Sequence, residues 1–468
     1  MGTLFLALLG ILVGYGIVYF EPKSLFAVPA LLLTGLVFII RPLWILFALL
    51  AVATFRLVWH AGGIAPLELG YSLTFLFLLA KVVIKGGFVA TSYREKIEFE
   101  NPVFLPLFVF LTLAFFSALI ALLRRHPFVF WASDLNMILF YAFYFITLST
   151  LQKPKDLDHL FIALLFVTAF AVLRSAYQEI TTHSFVTVLY GEPVIKFPIA
   201  SAFSLTMFLI LLSTLLCMKQ KNGKWFFFLV FCVLFGIHQV LASVRSRWLG
   251  AIVAVMAIFL AASPSQKIRL LRPLFFLVLC VSLLMTVSLT IPVFSQSPAF
   301  TFTQSIQKRF ATIFKGRADP TTEARFLEWE AAMKEIRRHP WFGNGLGKEV
   351  SFFDTTLYYP RTVSVRYIHN SYIFFLLNMG MVGLLAFLWL CASFALYGLR
   401  VFRAIEDPYY KGMALGCWAS FVAMLVAGFA GASLNDPALT IWAGFLMGAV
   451  TVMDKQKRLL KEESHEPA

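Results

Sequence analysis

Charge is the first thing this sequence is short of. Asp, Glu, Lys and Arg make up 13% of its 468 residues, about half the usual share of a soluble domain. Acid is scarcer than base, with 24 Asp and Glu against 39 Lys and Arg. Cysteine is scarce as well: Cys217, Cys232, Cys280, Cys391 and Cys417 all fall in or at the ends of apolar runs, with no CxxC spacing. That argues against a disulfide framework or a thiolate metal centre. No P-loop and no HExxH occurs, so neither a nucleotide-cradling loop nor a zinc-hydrolase helix is signalled. The one D-x-D triple, Asp156-Leu157-Asp158, sits beside Lys153 and Lys155. It reads as a solvated connection, whereas a metal-dependent nucleotide-sugar transferase needs such a triple in its active site.

What is present is apolar. Hydrophobic residues make up 60% of the chain and the mean hydropathy is +0.83. Apolar runs of about 17–25 residues recur throughout, and lipid tolerates no open backbone, so the fold class is an all-α polytopic membrane protein. The short alternating strands of a membrane β-barrel are absent. About fourteen candidate spans emerge, 12–14 allowing for short ones: 3–20, 25–40, 43–60, 66–84, 101–123, 130–151, 158–178, 197–217, 225–241, 247–263, 272–293, 369–397, 410–432 and 437–453. The run from Leu4 to Phe20 has no basic n-region and no A-x-A site, so it reads as a retained span rather than a signal peptide.

A net charge of +15 would suggest nucleic acid in a soluble protein. Here cytoplasmic anchoring explains it, because the bases collect in alternate connections, marked by Arg41, Lys85, Lys153, Lys219, Lys267, Arg400 and Lys455. This parity puts both termini in the cytoplasm and implies no nucleic-acid partner. It divides the chain into an N-terminal bundle (1–293), a long outer loop (294–368), C-terminal spans (369–453) and a cytoplasmic tail (454–468). The loop carries eleven Lys and Arg against seven Asp and Glu, a net of +4. Two shorter outer connections add Arg124, Arg125 and Arg174. The outer face is therefore cationic, suited to anionic lipid phosphates.

Within the loop, Asp319-Pro320-Thr321-Thr322-Glu323 predicts a helix start, with Asp at the N-cap and Pro at the first helical position. Phe326, Trp329, Met333 and Ile336 follow at helical spacing, predicting an amphipathic helix on the outer membrane surface that stops before His339-Pro340. Next comes Gly343-Asn344-Gly345-Leu346-Gly347, either a plain loop or a backbone cradle for phosphate.

The stretch Arg366-Tyr367-Ile368-His369-Asn370-Ser371-Tyr372 stands at the mouth of the span that follows. An ionisable residue there is a functional-site hypothesis. Gly380 and Gly383 lie eleven and fourteen positions after His369, near whole helical turns, which predicts one shared face where a neighbouring helix approaches closely. An imidazole can take a proton from an acceptor hydroxyl at neutral pH. An interfacial histidine that bonds its own loop is the plainer alternative. Arg245 and Arg247 enter the tenth span from the outer side, where positive-inside bias gives no reason for them and guanidinium suits phosphate. Arg325 on the loop helix is a third cation. Asn435-Asp436 on the last outer turn could orient a sugar or simply cap a helix.

His369-Asn370, nine residues, Gly380, two residues, Gly383 resembles the pattern shared by bacterial O-antigen ligases and O-antigen polymerases. Arg325, Trp329, His339-Pro340 and the Gly343–Gly347 turn resemble that family's upstream stretch, and Arg245 with Leu249 is similar to its arginine motif. Arg247 is a second candidate for that arginine; the spacing to Leu249 favours Arg245. The resemblance covers roughly residues 240–385. It implies a membrane glycosyltransferase fold (GT-C-like) in the bacterial inner membrane, with a periplasmic active site. It also implies a glycan donor on undecaprenyl pyrophosphate, and a lipid A-core or lipid-linked glycan acceptor. No nucleotide, metal or other cofactor is implied. His369, Arg245 and Arg325 would be catalytic. Arg247, Asn370, Arg366, Tyr372, Arg124, Arg125, Arg174 and Asp436 would contact substrate. The transfer would be that of an O-antigen ligase, with a polysaccharide polymerase as the alternative. A transporter is the reading from another class, and no inverted repeat or paired broken helices support it.

Overall fold

The computed structural model describes residues 42–56, most of 71–79, 101–182 except 152 and 153, 186–189, 192–195, 201–271 with short breaks, and 316–463 except 358. The spans expected at 3–20, 25–40 and 272–293, and the boundary at 293, lie outside the described residues. In chain order the helices are α1 (Pro42–Arg56), α2 (Phe104–Leu123), α3 (Phe128–Leu139), α4 (Phe143–Thr150), α5 (Pro154–Thr182), α6 (Ser201–Cys217), α7 (Gly223–Leu241), α8 (Arg245–Ala261), α9 (Pro320–Arg338), α10 (Ser371–Ala404), α11 (Pro408–Phe429) and α12 (Pro437–Glu463). Two antiparallel hairpins interrupt them, β1 (Val186–Leu189) with β2 (Glu192–Ile195), and β3 (Val350–Asp354) with β4 (Arg361–Val365). Among the described residues, seven helical stretches are long and apolar enough to cross a bilayer. The protein is an all-α polytopic membrane protein.

One of the seven, Phe128–Thr150, is α3 and α4 joined through a tight 3-10 turn at Phe140–Ala142. That turn presents the carbonyls of Phe140 and Tyr141 to Gly444 of α12, where an added Cβ would lie 2.7 Å from the Tyr141 oxygen. Gly448, one turn on, backs onto Thr147 in the same way. On α11, Gly412 and Gly416 meet the backbone of α6 at Thr214 and Ile210, at 2.4 and 2.3 Å from the added carbon. Lipid tails are as apolar as leucine, so helices in a bilayer associate through such close van der Waals contact. α12 lies at the centre, buried along its whole apolar length. Beside it, Phe110 of α2 and Phe375 and Phe387 of α10 form a ring cluster with centroids 4.4–5.5 Å apart.

α9 starts as expected. Asp319 caps it, accepting from the Thr322 amide at 3.0 Å, and Pro320 is its first residue. Its buried face differs from the sequence reading: Glu328, Ala331, Ala332 and Ile336 point inward, and Met333 is exposed. The two alanines let the helix lie close on β3 and on the start of α10. Phe326 and Trp329 flank that contact, 5.3 Å apart. The helix packs on protein through Glu328, Ala331, Ala332 and Ile336, with a carboxylate on its inner side.

The glycines after α9 explain a break in α10. Gly380 has φ +68, so the helix bends there and interrupts its own hydrogen-bond ladder. Orphaned amides and carbonyls inside a membrane protein must find other partners. The loop supplies them: Asn344 and Gly345 amides donate to Leu377 and Asn378 oxygens at 2.8 and 3.0 Å. In return the Met381 and Val382 amides donate to Pro340 and Trp341 oxygens at 2.8 and 3.1 Å. The remaining loop amides are also occupied: Gly343 on His339, Leu346 on Ser117, and Gly347 on the Asp134 carboxylate at 2.9 Å. The loop therefore has no backbone amides left to cradle phosphate; it is a wedge. The shared face expected for His369, Gly380 and Gly383 is likewise corrected, because α10 begins after Asn370 and the bend breaks its register.

Candidate functional site

The short turn between α11 and α12, residues 430–436, gathers the chemistry. Arg325 of α9 donates to the Ala430 oxygen at 2.5 Å. Tyr367 reaches the Ala432 oxygen at 3.5 Å. Ser371, fully buried, donates to Asn435 at 2.7 Å and accepts from the Leu434 amide at 3.0 Å. Three sequence-distant pieces, α9, the 366–371 stretch and this turn, thus share one end of the bundle.

His369 sits just before α10. Its ring Nδ1 is 2.9 Å from one oxygen of Glu328, and its backbone amide donates to the other at 2.5 Å. The Glu328 side chain is 5% exposed and that of His369 47%, so the carboxylate is hidden and the imidazole open. An ionised carboxylate only accepts, so Nδ1 carries the proton and a neutral ring presents a bare Nε2. This is the arrangement of a general base with an orienting acid. Sequence reasoning placed His369 and missed Glu328. The available signal was a Glu three residues after Arg325, on the alanine side of α9.

The paired arginines divide their roles. Arg245 donates to Asp319 at 2.9 Å and to the Thr321 hydroxyl, with both ionic side chains about nine-tenths buried. It pins the first turn of α9. Burial pushes the Asp319 carboxyl up, but bonds from Thr321, Thr322 and Arg245 prevail and hold it below the usual carboxylate range. Arg247 lies in the field of Asp436 and Tyr367. Its buried Nη1 has no hydrogen-bond partner among the described residues, and neither has Nδ2 of Asn435 on the facing turn. Burial raises the Asp436 carboxyl above its ordinary range, against the pull of the Leu439 amide and Arg247.

The other expected residues take structural positions. Asn370 caps α10, accepting from Tyr372 and Ile373 amides at 3.0 and 3.1 Å. Asp436 caps α12, accepting from Ala438 and Leu439 amides at 3.0 and 3.2 Å. The Tyr372 hydroxyl donates to the Leu425 oxygen at 2.9 Å. Arg366 lies 3.5 Å from Asp134 and over the Phe130 ring, holding the hairpin to α3. Arg124 donates to the Gly343 oxygen and Asn344 side chain at 3.3 and 3.4 Å, on the wedge, and Arg125 is exposed beside it. Arg174 lies on α5, half-buried. The site brings together His369, Arg325, Arg245, Arg247 and Asp436; Arg124 and Arg125 stand with the wedge.

A half-exposed histidine held by a buried glutamate thus shares one end of the bundle with Arg245 and Arg325. The sequence model of one family, described as O-antigen ligase, matches residues 207–388. That places this region, holding Arg245, Arg247, Arg325, Glu328, Arg366, His369, Asn370 and Tyr372, in the O-antigen ligase family. Arg124, Arg125, Arg174 and Asp436 fall outside the match. A comparison with curated proteins returns no match.

Proposed function

We propose that the protein is an O-antigen ligase, transferring a glycan from undecaprenyl pyrophosphate to a sugar hydroxyl of lipid A-core. The work takes place on the periplasmic face of the bacterial inner membrane, with both termini in the cytoplasm. The observation that carries this reading is the Glu328–His369 pair, its half-exposed ring 6.1 Å from that of Tyr367, which lies in the field of Arg247.

The acceptor hydroxyl gives its proton to His369 Nε2 while its oxygen bonds to the anomeric carbon. The bond from that carbon to the pyrophosphate oxygen breaks, and undecaprenyl pyrophosphate leaves with the electron pair. The growing negative charge falls to guanidinium groups held in place beforehand, the kind of stabilisation that contributes most when no reorganisation is needed. Arg247, with a buried donor still open, is the better phosphate ligand; Arg245 acts one step back by fixing α9, and with it Arg325 and Glu328. The reading assigns no metal, so EDTA is expected to leave transfer unchanged.

The test is reconstitution in liposomes with lipid-linked glycan, with and without lipid A-core, products resolved by gel. Product that needs lipid A-core supports the ligase. A ladder formed from lipid-linked repeat units alone makes the protein a polymerase, and no transfer by folded protein overturns both.

A further inference from the structure

The apolar surface of α2 does not stop at its last residue. Leu123 is 82% exposed, and the Phe116 ring meets Phe342 of the wedge at 5.8 Å. Trp341 beside it is 65% exposed. α2 is long and apolar enough to cross a bilayer, so this strip continues a lipid-facing surface onto the loop. Aromatic side chains at such a boundary belong to the headgroup level.

Directly above the strip the charge is positive. His339, in the wedge, lies in the field of Arg124, Lys348 and Arg338. One carboxylate, Glu335, answers them, pairing with Arg338 at 2.7 Å and Lys348 at 2.9 Å. Three cations against one anion leave an excess of two.

The turn that ends α2 points the same way. Its His126 amide bonds the Ala121 oxygen at 3.0 Å and its Arg125 amide the Leu122 oxygen at 3.1 Å, which is the Schellman closure. The left-handed position in that motif is a glycine's place, yet here it is Arg125, with φ 59. A non-glycine residue is strained there, and what the chain gains is an exposed guanidinium at the rim.

We infer that this corner, formed by the 124–126 turn and the 338–342 stretch, binds the phosphate headgroup of an anionic phospholipid. Its acyl chain lies along Phe116, Leu123 and Phe342. The surrounding bilayer supplies the occupant, and the excess positive charge selects anionic over zwitterionic headgroups. The inference needs only that the chain spans a membrane, so it stands apart from the transferase reading.

The experiment compares the full-length protein in nanodiscs of phosphatidylglycerol or phosphatidylcholine, released into detergent and weighed by native mass spectrometry. The wild type should retain phosphatidylglycerol in preference. Arg125→Gly and Arg338→Gln together should weaken that retention roughly thirtyfold, each basic residue near such a surface contributing about one kcal/mol. Arg125→Gly alone should keep or raise the Tm, because it removes left-handed strain, which separates lost lipid from lost fold. Equal retention of the two lipids by the wild type, or undiminished selectivity in the double variant, overturns the proposal.

Discussion

Glu328 grips His369 from two directions, one oxygen on the ring and the other on the backbone amide of the same residue. The carboxylate thus fixes both where the imidazole is and which nitrogen it offers. His369→Ala should lower transfer by about 10²–10⁴-fold, the range of a lost general base. Glu328→Gln should lower kcat while sparing the donor KM, since it leaves the arginines in place. Transfer assays in proteoliposomes measure both; a Glu328→Gln variant with full kcat would remove Glu328 from the mechanism.

Arg245 and Arg247 should fail in different ways. Arg247→Gln removes a buried donor with no hydrogen-bond partner among the described residues, and leaving such a group unpaired is a cost. The variant should therefore melt at the wild-type temperature or above, yet lose donor binding. Arg245→Ala breaks a nearly buried pair with Asp319, a loss of roughly 3 kcal/mol, and should loosen α9. Thermal unfolding together with binding of a polyprenyl pyrophosphate distinguishes them.

Asp319 gives the loop a pH dependence of definite sign. Its carboxyl is held below the usual range in the folded protein. The stabilisation is therefore full above the unfolded value, about pH 4, and is lost as pH falls through the lower folded value. Limited proteolysis should leave the loop intact from neutral pH to about 4 and cut it below. Asp319→Asn should flatten that dependence.

Gly380→Ala should be severe. An added Cβ would lie 2.3 Å from the Trp341 oxygen, at φ +68, so strain and overlap together should cost roughly 2–5 kcal/mol. Gly316→Ala is the control: φ is +53 but nothing lies within 4 Å, leaving about 1 kcal/mol of conformational cost. Chemical or thermal unfolding of both variants measures the difference.

Hydropathy alone located the seven membrane-crossing stretches among the described residues, because each bilayer crossing needs a long apolar run whatever it packs against. The start of α9 was legible too, since Asp319-Pro320 is a local signal. Glu328 was not, because a buried acid looks like any surface acid until its partner, 41 residues away, folds against it. Nor was the wedge. Gly343, Gly345 and Gly347 suggest a turn, and nothing in them names Gly380 as what they plug. Arg245 and Arg247 stand two residues apart, and only the position of Asp319 tells the pin from the open donor.

The wedge has a consequence for anyone exchanging loops between relatives. The seam between loop and membrane helix does not run at residue 370, where α10 begins; it runs through the bend at Gly380, with bonds crossing in both directions. A graft that stops at the helix boundary would carry one half of that joint and meet a foreign other half. The two sides of that joint, 340–345 and 377–382, have to travel together, with Ser117 and Asp134 matched to the loop amides they accept from.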